Sequence, residues 1–91
     1  MHTYFIKWKD GRASEADNVD LCIRRAIGDK EYAEYRKNMG PRGYKWSAYH
    51  STVKGWEHAT LNTHNNLQQI CQVFRTDKAP VILKLRKQLG L

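Results

Sequence analysis

The sequence predicts an α+β fold: a small single domain over residues 1–91, with a mostly antiparallel sheet of about four to five short strands and three helices packed on one face. Three observations support this prediction. The 91 residues are 41% hydrophobic and 27% charged, which suits one hydrophobic core and not two. Segments of alternating hydropathy occur beside segments of helical spacing. Tight-turn residues separate the alternating segments, which favours hairpins.

A hairpin is predicted at the start of the chain. Residues 3–9 alternate in hydropathy as a strand does, and Phe5 and Lys7 share one side of it. Asp10-Gly11 favours a type I′ turn. A short polar strand over residues 12–16 then returns at the edge of the sheet.

Two helices are predicted next. Apolar residues recur at helical spacing after Asp17 and Asn18, either of which can cap an amphipathic helix that ends at Gly28. Asp29 can cap a second helix that extends to about Met39.

The middle of the chain is predicted to form a second hairpin, with strands over residues 43–50 and 56–61 and a break between them. Alternate residues of a strand lie on opposite faces, so Trp46 is expected on one face and both Lys45 and Tyr49 on the other.

The last third of the chain is predicted to hold a helix followed by a strand. Apolar residues at helical spacing, with Asn65 as a capping residue, indicate a third helix over residues 67–75. The tail from Val81 fits both a strand and a helix. Pro80 and the dense Val-Ile-Leu start favour the strand.

The formal net charge of +7 is concentrated in the second half of the chain. Residues 1–39 hold eight Lys or Arg and seven Asp or Glu, whereas residues 40–91 hold eight and two. Concentrated positive charge attracts anionic partners. We therefore expect nucleic acid first, and an acidic protein surface second, as the partner. The alternative is a soluble basic protein without a specific anionic partner.

The candidate binding surface centres on residues 40–56, where aromatic rings alternate with cations and no acidic residue occurs. Rings of this kind stack on bases, and the cations neutralise phosphates. The expected contacts to nucleic acid or to a protein partner are Arg42, Lys45, Trp46, Tyr49, Lys54, Lys84, Arg86 and Lys87. The alternative is that Tyr44 and Trp46 close the core while the cations are merely solvated.

These features predict a non-enzymatic, small basic binding protein that associates with nucleic acid or with a nucleic-acid-handling complex. One alternative is an inhibitor of the type encoded by phages and mobile elements, which binds a host complex such as a bacterial defence or CRISPR effector. Another is a helix-turn-helix DNA-binding regulator over residues 67–91, whose recognition helix would carry Lys84, Arg86 and Lys87.

No cofactor, metal site or membrane segment is expected. The histidines and cysteines lack the spacing of zinc ligands. The enzymatic alternative is a small metal-independent nuclease or toxin, with acid/base candidates His50, Glu57, His58 and His64, and Lys45 or Arg42 to hold a phosphate. Cys22 and Cys71 are predicted on apolar helix faces as reduced thiols. Because neither a run of about eighteen apolar residues nor a leader is visible, a cytoplasmic protein is expected.

Overall fold

The computed structural model describes residues 1–39, 43–64 and 66–91. These residues form six strands and three helices, in the order β1 (Thr3–Trp8), β2 (Ala13–Ala16), α1 (Val19–Ile27), α2 (Asp29–Met39), β3 (Tyr44–Trp46), β4 (His50–Val53), β5 (Trp56–Thr63), β6 (Gln69–Thr76) and α3 (Ala79–Leu89). The strands make one antiparallel sheet. The predicted α+β class is therefore confirmed.

The sheet has the strand order β2-β1-β6-β5, and both β3 and β4 pair with the outer side of β5. Trp46 of β3 lies opposite Leu61, and His50 of β4 lies opposite His58, so the two short strands share one edge. Between them Ser47 hydrogen-bonds to both backbone groups of Thr60. The strand predicted over residues 43–50 is thus interrupted after Trp46.

The first hairpin is confirmed, with β2 at the sheet edge, but its turn differs from the type I′ prediction. The Trp8 N–H donates to the Arg12 carbonyl at 2.7 Å, which encloses a three-residue loop. Gly11 has a φ of 96°, whereas Asp10 does not adopt a positive φ. The Asp10 carboxylate instead accepts the Arg12 N–H at 3.0 Å, which stabilises the loop.

Helices α1 and α2 form where the sequence predicts them. The Asn18 side chain accepts the Leu21 N–H at 2.8 Å, so Asn18 and not Asp17 caps α1. Gly28 ends α1 with a φ of 86°, and its carbonyl accepts the Tyr32 N–H. Asp29 therefore lies inside the first turn of α2, where its charge suits the helix dipole.

Two hydrophobic cores lie on opposite faces of the sheet. Ile6, Leu61 and Val73 point to the face that α1 and α2 cover, which we call the α1 face. Phe5 and Phe74 point to the other face, where Leu85 of α3 packs on them, and we call this the α3 face. The expectation that all helices pack on one face is therefore wrong. Phe5 and Ile6 are both fully buried, and such a strand needs cover on both sides.

The two predictions for the last third of the chain are reversed in the structure. Residues 69–76 form β6, a strand buried on both faces, and residues 79–89 form helix α3. A strand with two buried faces carries consecutive apolar residues, which imitate helical spacing. Pro80 lies in the first turn of α3, where no backbone N–H is needed. The cap predicted at Asn65 lies outside the described residues.

The observed strand β6 also tests two further predictions, the helix-turn-helix and the position of Cys71 on a helix. A helix-turn-helix over residues 67–91 is wrong, because its first helix is strand β6. Cys71 belongs to that strand and not to a helix, but it is buried and free, as Cys22 is. Burial raises the pKa of both thiols to about 12. Among the described helices, none is long and apolar enough to cross a membrane.

Candidate nucleic-acid interface

The structure divides the predicted contact residues between the two faces of the sheet. Trp46 and Tyr49 lie on the α1 face, where Tyr49 packs against the core. Lys45 is one residue from Trp46 and so lies on the α3 face. Lys84, Arg86 and Lys87 belong to α3, which packs on that same face. Lys54 is exposed in the turn between β4 and β5, and Arg42 lies outside the described residues.

Three neighbouring rings on the α1 face form what we call the aromatic patch: Tyr44, Trp46 and Tyr49. The Trp46 ring is 5.7 Å from each tyrosine ring, tilted by 79° to Tyr44 and by 34° to Tyr49. The alternation of the sequence places Tyr49 with Lys45. The interruption after β3 instead turns Tyr49 toward Trp46.

The aromatic patch closes a part of the α1 face that α1 does not reach. Helix α1 packs against β1 and β2, whereas the patch lies over β5. Tyr44 and Tyr49 are half-buried against the core, and burial raises the pKa of Tyr49 to about 12. Trp46 remains 37% exposed. The two tyrosines are thus mainly structural, and Trp46 is the accessible ring.

Arg75 lies beside the aromatic patch and was not among the predicted contacts. Its guanidinium lies 3.7 Å from the centre of the Tyr49 ring. It also pairs with the carboxylate of Glu57, opposite it on β5. This ion pair cancels the charge of Arg75, so the described part of the patch does not place a free cation beside its rings.

A polar surface lies on the α3 face, beyond the part that α3 covers. Its members come from four neighbouring strands and form what we call the amide–lysine surface: Lys7, Lys45, Thr60, Asn62, Gln69 and Gln72. Lys7 lies opposite Gln72, which lies opposite Thr60. Asn62, two residues further along β5, lies between Lys45 and Gln69. The register therefore makes these side chains one continuous surface.

The amide–lysine surface is open because α3 covers only the adjoining row of the sheet. Phe5 and Phe74, each two residues from Lys7 and Gln72, are buried beneath Leu85. Lys7, Lys45 and Gln69 are exposed, and the other three members are partly exposed.

Five of the six arginines in the described residues pair with a carboxylate, whereas Arg25 and eight of the nine lysines do not. All nine carboxylates are in the described residues, and seven of them lie within 4.0 Å of a basic group, in six cases with an arginine. In the ranges that the structure describes, no carboxylate lies that close to four lysines on the α3 side of the sheet: Lys7, Lys45, Lys84 and Lys87.

Arg86, also a predicted contact, has a structural partner. Its guanidinium donates to both oxygens of Glu15 at 2.6 and 2.7 Å, which ties α3 to strand β2. The hydrogen bond to Arg86 lowers the pKa of Glu15 and keeps it ionised. Glu15 points to the α3 face, opposite Phe5, so this ion pair neutralises a carboxylate next to the amide–lysine surface.

A cavity of about 390 Å³ opens on the α1 side, between α2 and the end of β5. Trp8 and Tyr35 line it, with ring centres 5.6 Å apart. Glu31 and Glu34 also line it. Lys9 also lines the cavity and Arg12 pairs with Glu31, so the charges around it are balanced and give a phosphate no net attraction.

Of the three histidines named for catalysis, His50 and His58 lie next to each other, whereas His64 lies in the turn after β5. His50 is opposite His58, and the His58 ring stacks on Phe74 with centres 5.0 Å apart. Burial, and then the proximity of His50, lower the pKa of His58. Over residues 1–39, 43–64 and 66–91, no three His, Cys, Asp or Glu side chains come together as a metal site would require.

Sequence reasoning missed most of the amide–lysine surface. Lys7 could have been found, since the alternation of residues 3–9 places it on the same side of the strand as Phe5. Gln69 and Gln72 were hidden by the helix predicted over residues 67–75. Comparison of the chain with protein-family models, with curated proteins and with solved structures found no match.

Proposed function

We propose that this protein binds nucleic acid through the amide–lysine surface, without catalysis and without a cofactor. Lys7 and Lys45 contact phosphates at the sheet, and Lys84 and Lys87 extend the positive charge along α3. The observation that carries the proposal is the position of four unneutralised lysines on one side of the sheet, around uncharged polar side chains. Lysine is a common phosphate ligand, and such contacts dominate nucleic-acid affinity.

The test is the salt dependence of binding. Anisotropy of a fluorescent oligonucleotide is measured between 50 and 300 mM salt, a range in which counterion release changes affinity by orders of magnitude. Each neutralised phosphate contributes about −0.7 to the slope of log K against log salt for a single strand. Four lysines therefore predict a slope of about −3. A flat response would overturn the proposal.

A double variant locates the site. Lys7→Gln with Lys45→Gln should weaken binding and reduce the slope by about 1.4. The matched control is Lys30→Gln with Lys37→Gln, two exposed lysines of α2 on the other side of the sheet. It removes the same charge and should leave the slope nearly unchanged. Equal losses in both variants would contradict a localised site.

A second candidate function rests on the aromatic patch. Trp, Tyr and Arg dominate the hot spots of protein interfaces, and Trp46 is exposed beside Tyr49 and Arg75. An inhibitor that binds a host complex, such as a bacterial defence effector, would use such a patch. Pull-down after nuclease treatment tests it: a stoichiometric partner that Trp46→Ala releases supports this function. Loss of all partners with the nucleic acid contradicts it.

The proposed compartment is the cytoplasm. Cys22 and Cys71 are both buried as free thiols, which suits a reducing environment.

A further inference from the structure

We infer that the ligand of the amide–lysine surface is single-stranded and that Gln69, Gln72 and Asn62 contact its bases. This inference rests on the proposed function and names the form of nucleic acid that the surface fits. It follows from how charged and uncharged groups are arranged on the surface, from the shape that α3 gives it, and from the chemistry of the carboxamide.

The two lysines flank the surface and the uncharged residues lie between them. Lys7 is on β1 and Lys45 on β3, whereas Gln72 and Asn62 are on the two intervening strands. Strands in a sheet are about 4.8 Å apart, so the two lysine-bearing strands are about 14 Å apart. Phosphates can therefore be held at the borders while bases lie over the centre.

Carboxamides suit the edges of unpaired bases. A Gln or Asn side chain offers both a donor and an acceptor, as the edge of a base does. In a duplex, base edges lie at the bottom of grooves that admit a helix or a two-stranded ribbon. Gln72 projects from β6, an inner strand of a sheet too broad to enter a groove, so its carboxamide cannot reach such an edge. In a single strand the bases turn outward and are within its reach.

Helix α3 adds a steric argument. It packs on Phe5 and Phe74, directly beside the row that holds Lys7 and Gln72. A helix with side chains is about 10 Å across, so α3 forms a ridge of that height next to the open part of the sheet. The ridge obstructs a wide, rigid duplex. It leaves room for a flexible strand that lies along its base.

None of the six members of the amide–lysine surface is aromatic. The members therefore hold the bases by hydrogen bonds and not by stacking. Stacking tolerates any base, whereas hydrogen bonds depend on the donor and acceptor pattern. We therefore expect base composition to affect affinity. The surface is small, and a site of about four nucleotides agrees with the lower end of the range for compact single-strand binders.

The experiment compares one labelled ten-nucleotide strand with its duplex at constant salt. The wild-type protein should bind the single strand at least tenfold more tightly. Gln69→Ala with Gln72→Met removes two carboxamides without changing the charge, so it should reduce single-strand affinity by about tenfold and leave the salt slope unchanged. Asn38→Ala, which removes an exposed carboxamide of α2, is the matched control and should have no effect.

The outcomes separate this inference from the proposed function. Equal or tighter binding of the duplex, with a steep salt slope, would overturn the single-strand inference and keep the nucleic-acid function. Unchanged single-strand affinity in the double glutamine variant, shown by circular dichroism to be folded, would overturn the role of the amides. Absence of salt-dependent binding to either form would overturn both proposals.

Discussion

The two faces of the sheet are completed in different ways. On the α1 face, the part that α1 does not reach is closed by the rings of Tyr44, Trp46 and Tyr49. On the α3 face, the part that α3 does not reach is left to lysines and amides. Lys45 and Trp46 are neighbours in the chain, yet each belongs to a different face. Because successive side chains of a strand point to opposite faces, β3 places the charge of Lys45 and the ring of Trp46 on opposite sides of the sheet.

This difference teaches that adjacency in sequence is a poor guide to a shared surface. A cation and a ring at consecutive positions of a strand do not contribute to the same binding surface, because consecutive side chains point to opposite faces of the sheet. The cation that does meet the aromatic patch, Arg75, comes from β6, far along the chain from Tyr49.

The largest expected effect comes from removing the anchor of α3. Leu85→Ala should lower the free energy of unfolding by about 3 kcal/mol, because it leaves a cavity above Phe5 and Phe74. Leu83→Ala is the matched control on the same helix. Leu83 is 64% exposed, so its loss should cost less than about 0.5 kcal/mol. Urea unfolding measures both, and similar losses would show that α3 does not pack on the sheet in this way.

An intermediate effect is expected from two variants that test the two faces separately, one in the aromatic patch and one in the amide–lysine surface. Tyr49→Ala should destabilise the fold by about 1–2 kcal/mol, since it removes a half-buried ring and its contact with Arg75. It should leave nucleic-acid affinity unchanged. Lys7→Gln should do the reverse. Unfolding and anisotropy measured on the same two variants check this; a loss of affinity in Tyr49→Ala would assign binding to the aromatic patch.

The smallest expected effect is a pH dependence of stability from His58. Its pKa is lower in the folded protein than in the unfolded chain, so the unfolded chain binds more protons. His58 therefore does not lower the stability at pH values above its ordinary pKa of about 6.5. The free energy of unfolding falls progressively below that pH. Urea unfolding at pH 7.5 and pH 5.5 measures the loss.

A pair of variants assigns that pH dependence. His58→Gln should reduce it, because the titrating ring is gone. His64→Gln, in the turn after β5, should retain it. A wild-type protein equally stable at both pH values would contradict the buried position of His58.

Elements with one buried face were predictable from the sequence. Helix α1 has Cys22, Ile23 and Ile27 on one stripe, and its caps are local, so both its type and its ends follow from neighbouring residues. The first hairpin was also predictable, although Phe5 and Ile6 bury β1 on both faces, because the turn signal Asp10-Gly11 joins two neighbouring strands. Its turn was missed because Asp10 stabilises a longer loop through Arg12, a contact that the dipeptide Asp10-Gly11 does not specify.

Elements whose environment is set by distant partners were not predictable. Strand β6 carries Val73 and Phe74 side by side because β1 and β5 flank it and helices cover both of its faces. Nothing local distinguishes this pattern from a helix. The candidate site depends on the same long-range pairing, since it is the register of β1 with β6 that places Lys7 beside Gln72.

The break between β3 and β4 has a consequence for association between molecules. A long open edge strand offers a ladder of free N–H and C=O groups on which another chain can pair. Here Ser47 turns back onto Thr60 and divides that edge into two stretches of three and four residues. Neither stretch is long enough for extended pairing, so this edge discourages growth of the sheet from one molecule into the next.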